Sequence, residues 1–68
     1  MSRVGLRHKA AVHFRKAQDS LERAEGYVMQ MRSAGATSGR LFMALSQAEA
    51  AATHLRHAHD LMKEAESE

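Results

Sequence analysis

Only one stretch of this chain can stop a helix. Ser33-Ala34-Gly35-Ala36-Thr37-Ser38-Gly39 holds two of the four glycines, and proline is absent throughout. Gly35 can take the left-handed backbone that ends a helix. Thr37 or Ser38 can accept from the free amides that open the next one. The sequence therefore predicts helix 1 over about 3–33, a turn over about 34–38 and helix 2 over about 39–66, within a single domain over 1–68. A connection this short turns the second helix back along the first. Thirteen alanines, with Leu, Met, Glu, Gln and Arg, give the composition of long helices, and the only aromatics are Phe14, Tyr27 and Phe42.

The apolar positions then say how the helices pack. Helix 1 carries Ala10, Phe14, Ala17, Leu21, Ala24, Val28 and Met31, with steps alternating four and three. Small and large residues alternate along this line, which lets two helices approach closely. Helix 2 repeats alanine every seven residues at Ala44, Ala51, Ala58 and Ala65, and adds a second line of Leu41, Leu45, Ala48, Ala52, Leu55 and Met62. Together these lines cover more than a third of its circumference, too wide an arc for one neighbour. The expected fold is all-α: a two-helix antiparallel hairpin that dimerises into a four-helix bundle. The interface is expected to draw on Phe14, Ala17, Leu21, Ala24, Val28, Met31, Leu41, Leu45, Ala48, Ala51, Leu55, Ala58 and Met62. Size points the same way, because a 68-residue chain builds a marginal core and usually needs disulfides, a metal or a partner subunit. There is no cysteine, which removes disulfides and thiolate metal sites and fits a reducing compartment.

Charge is divided between the halves. Residues 1–34 carry seven Lys or Arg against three acids, and residues 35–68 carry three against five. An antiparallel hairpin sets the basic start beside the acidic end. Arg15–Asp19, Asp19–Arg23 and Arg56–Asp60 have the spacing of helical ion pairs. Arginine outnumbers lysine seven to three, as in proteins from GC-rich bacterial genomes. No apolar run is long enough to span a bilayer and no signal-peptide pattern opens the chain, so the expectation is a cytoplasmic protein with no membrane partner.

Histidine is the one residue type that brings chemistry. Five occur, three of them in His54-Leu55-Arg56-His57-Ala58-His59-Asp60. His54 and His57 share a helix face, as do His57 and Asp60. Folding about the turn places His13 beside residues 57–59. Three roles follow: structural imidazoles along the seam edge, a metal or haem site from His13, His54, His57 and Asp60, or an interface that responds to pH. The structural role is favoured, so no cofactor is expected. The chain has neither a His-x-x-x-His pair nor the Glu-x-x-His motif of di-iron bundles.

The function expected from these features is a small protein–protein interaction or regulatory module. Its partner is a second copy of itself, with another protein as a further candidate. No serine stands within a helical turn of both a histidine and an acid, so no catalysis is expected. The alternative is a nucleic-acid-binding bundle that uses Arg3, Arg7, Lys9, Arg15, Lys16 and Arg23 of helix 1, in line with an isoelectric point near 9.5. Against it stand a net charge of only +2 and the absence of a helix-turn-helix pattern.

Overall fold

A computed structural model describes residues 2–67. It contains two helices, α1 (Arg3–Ala34) and α2 (Ser38–Glu66), packed along each other as a hairpin. The molecule measures 50 × 14 × 12 Å, so its length is that of one helix and its width that of two. Both ends of α1 are closed by local hydrogen bonds. Ser2 Oγ accepts from the Gly5 amide at 3.1 Å, and the Gly35 amide donates to the Met31 carbonyl at 2.9 Å. Gly35 has φ +90°, a backbone that side-chain-bearing residues rarely adopt, which is why glycine stands there. Thr37 opens α2, its Oγ1 accepting from the Arg40 amide at 3.1 Å. Arg40 then reaches back to the Gly35 carbonyl at 3.4 Å, tying the start of α2 to the end of α1.

The contact between the helices uses fewer large residues than the sequence suggested. Its line on α1 is Leu6, Ala10, His13, Ala17, Ser20, Ala24, Tyr27 and Met31, all buried or half-buried. Its line on α2 is Arg40, Ala44, Gln47, Ala51, His54, Ala58, Leu61 and Ala65, buried to the same degree. Steps of four and three are kept, but the positions between the alanines are not Phe14, Leu21 and Val28. Those three lie one column round the helix and stay exposed, Phe14 at 50% and Leu21 at 43%. The expected seam of α1 is thus divided, with its alanines and Met31 facing α2 and Phe14, Leu21 and Val28 facing outward. Ala17 and Ala51, at 0% and 1% exposure, are the most fully covered residues of this contact.

The expected helical ion pairs do not form. Arg15, Asp19 and Arg23 close no ion pair with one another, and Asp60 pairs with His59 rather than Arg56. All are exposed on α1 or α2, where water competes for them and an ion pair gains little. Gly26 lies mid-helix on the exposed side, with nothing within 4 Å of where a Cβ would stand. It marks no close crossing within the hairpin. Gly26→Ala is expected to stabilise the fold by about 0.5–1 kcal/mol through helix propensity, read as a higher midpoint in chemical denaturation. A loss of stability would show that another chain packs closely against that position.

Candidate functional site

Two features of the hairpin can carry function, and they lie on opposite flanks of the helix–helix seam. The first is apolar. In an antiparallel pair, the column beside the seam on one helix faces its counterpart on the other. On one flank these columns are Arg7, Phe14, Leu21 and Val28 on α1, and Leu41, Ala48, Leu55 and Met62 on α2. Leu45 and Ala52 widen the strip by another column on α2. Phe14, Leu21, Val28, Leu41, Leu45 and Leu55 are all exposed, Leu45 at 58%. A shallow groove runs between the helices on this flank, floored by Ala10 and Ala58 and walled by Phe14, Leu55 and Met62, with Arg7 and His59 at its edge. A second hollow follows on α1 between Leu21, Ala24 and Val28. Of the expected interface residues, Ala17, Ala51, Ala24, Ala58 and Met31 serve the contact between the two helices. Phe14, Leu21, Val28, Leu41, Leu45, Ala48, Leu55 and Met62 form this outward strip. Near the turn, Met29, Phe42 and Met43 are also exposed, but they point to different sides of their helices.

The second feature is the histidine cluster. His13 of α1 sits in the seam and meets His54 of α2, with their Nδ1 atoms 3.0 Å apart. The rings are tilted at 33° with centroids 5.3 Å apart. His57 also packs edge-on with His13, at 88° and 5.0 Å. The register therefore sets His13 against His54 and His57, slightly back from the expected residues 57–59. His59 points away, 73% exposed, with Nδ1 3.2 Å from Asp60 Oδ1. Asp60 borders the groove lined by Lys9, Val12, His13, His57 and Leu61, yet its carboxylate serves His59. Three of the four residues considered for metal thus come together, and the acid is turned aside. The Nδ1–Nδ1 contact also uses the lone pair of whichever of the two rings accepts. No group of three or more His, Asp or Glu among the described residues is arranged to hold a metal ion.

His13 is half-buried, and its pKa is held below the ordinary 6.5. Burial is the main cause, followed by the positive charge of His57, His54, Lys16 and Lys9. The six cations considered for nucleic acid are all exposed but do not make one stripe. Lys9, Lys16 and Arg23 line the flank that holds His57, Arg7 stands at the edge of the apolar groove, and Arg15 points outward. Asp19 lies within a helical turn of Lys16 and Arg23 and dilutes their charge. The helix 1 acids Asp19, Glu22 and Glu25 are exposed, and none of them meets a histidine. No helix among the described residues is long and apolar enough to cross a membrane.

Helical spacing and the fold-back about the turn were enough to signal the histidine cluster. The division of the apolar residues between two surfaces was signalled only by the width of the apolar arc on α2. Comparison with known proteins gives no match, whether to a family model, a curated protein or a solved structure.

Proposed function

We propose that this chain works as a homodimer, two hairpins burying their apolar strips against each other as a four-helix bundle. The bundle acts as a protein–protein interaction or regulatory module with no catalysis of its own. The observation that carries this reading is the exposed strip from Phe14 to Val28 and from Leu41 to Met62. Six large apolar side chains on one flank exceed the scattered exposure that is normal for a small soluble protein.

Area supports a second copy as the occupant. The hairpin exposes 4998 Å². A compact monomer of 7.5 kDa averages about 4,200 Å², so the hairpin shows roughly 800 Å² more than its mass warrants. That excess is close to what each partner buries in a standard interface, about 800 Å². The strip also has the anatomy of an interface, with an apolar centre and Arg7, Glu25 and Arg32 along its edges. A two-fold pairing uses one patch on both subunits and closes, leaving no sticky face behind. With bundle packing, each helix gains a second neighbour, which is what the wide apolar arc of α2 requires.

Light scattering on the eluting protein tests this reading. The expected mass at micromolar concentration is twice the 7.5 kDa of the chain, with helicity falling on dilution as the dimer separates. A single-chain mass, with helicity and cooperative melting kept at nanomolar concentration, would overturn it.

A further inference from the structure

We propose that His13, His54 and His57 form a proton-operated latch in the half of the hairpin away from the turn. The helices are held together while these imidazoles are neutral and loosen when they charge. The proposal rests on contacts between the two helices of one chain and does not depend on the dimer.

The geometry requires a shared proton economy. At 3.0 Å, the Nδ1 atoms of His13 and His54 are at hydrogen-bond distance, so one must donate N–H and the other must accept through its lone pair. The donor ring then has a bare Nε2, and the acceptor ring carries its hydrogen on Nε2. A first proton can enter at the donor's Nε2 and leave the contact intact. A second has only the accepting Nδ1 left to take, and there it sets N–H against N–H. The contact then breaks, and two like charges face each other across the seam.

The surroundings offer little compensation. From α1, Lys9 and Lys16 lie within one helical turn of His13 on either side. From α2, His54 and His57 face His13, and Asp60 is the acid that borders the same groove. Asp60 is engaged by His59 at 3.2 Å and sits at the rim. His57, edge-on to His13 at 5.0 Å, adds a third charge when it protonates. Charging this cluster therefore puts up to three imidazolium ions beside two ammonium groups, with one carboxylate nearby.

The sign of the effect follows. His13 is held below its ordinary 6.5 in the folded hairpin, so the unfolded chain binds more protons there under mild acid. Its contribution to stability is complete above pH 6.5 and is lost as pH falls through the lower, folded value.

Two measurements test the latch, both with a chelator present. Thermal unfolding of the full chain is followed by circular dichroism at pH 7.5 and pH 5.0. The wild type is compared with the double substitution His13→Gln, His54→Gln, which keeps hydrogen-bonding side chains but cannot take the protons. The wild type is expected to melt lower at pH 5.0, with most of that drop absent in the variant and the difference unchanged by a tenfold change in concentration. Equal melting of the wild type at both pH values, or an equal drop in the variant, overturns the proposal. Should the variant not fold, NMR titration of the wild-type imidazoles decides. A midpoint for His13 below 6.5, with His54 resonances moving in concert, supports the latch. Independent titration of both rings at or above 6.5 overturns it.

Discussion

Replacing Ala17 with leucine is expected to be the most damaging single change to the hairpin itself. Ala17 has 0% exposure, and across the seam stands another alanine line whose Ala51 is 1% exposed. Such packing brings two backbones close because neither side has anything beyond a methyl group. Leucine adds three carbons at a position that is already fully covered. Overpacking of this kind costs about 1–3 kcal/mol. A single core in a chain this small rarely supplies more than about 3–5 kcal/mol, so that is a large share of the margin. Chemical denaturation is the measurement, with Glu22→Leu as the control at an exposed position on the same helix. Both substitutions install leucine in α1, so the difference between them reports packing rather than propensity. Equal midpoints would mean that the helices are not in contact at Ala17.

Leu21→Glu separates the hairpin from the assembly. In an isolated hairpin Leu21 is 43% exposed, and a substitution there would shift stability by no more than about 0.5 kcal/mol. In a four-helix bundle the same side chain lies inside the interface, where an unpaired carboxylate costs several kcal/mol. The expected result is loss of the doubled mass in light scattering and a large fall in helicity at micromolar concentration. Leu55→Glu, across the groove from Phe14, is expected to act in the same way. Arg15→Glu, which reverses a charge on the outward side of α1, should leave the mass unchanged. A Leu21→Glu variant with the wild-type mass and melting point would remove this strip from any interface.

The two experiments differ in what they probe because the structure splits one apolar pattern into two surfaces. Along α1, Ala10, Ala17 and Ala24 form one column, and Phe14, Leu21 and Val28 form the next, about 40° round the helix. Steps of four and three are satisfied by a line drawn through both columns. They are equally satisfied by a line that pairs the alanines with His13, Ser20 and Tyr27. Hydrophobicity favours the first line, and within the hairpin the second is adopted. Small residues permit a closer approach, and the bulky column stays exposed on the hairpin.

The histidines carry a similar lesson. Spacing placed His54 and His57 on one face, and the fold-back about Gly35 placed His13 near them. The contact distance came from the register of the two helices, which slid His13 between His54 and His57 and left His59 outside. That register depends on how the alanine lines interlock, at a resolution finer than counting residues from a turn.

From its sequence alone, the chain settles its two helices and its turn, because these depend on residues within a few positions of one another. Gly35, a Thr37 or Ser38 start and the absence of proline are sufficient for that. Sequence also establishes that more apolar surface exists than one helix pair can cover. Only the tertiary structure decides which apolar column turns inward and which imidazoles touch. Neighbouring columns on a helix differ by a small rotation, and the choice between them is made by the fit of the other helix.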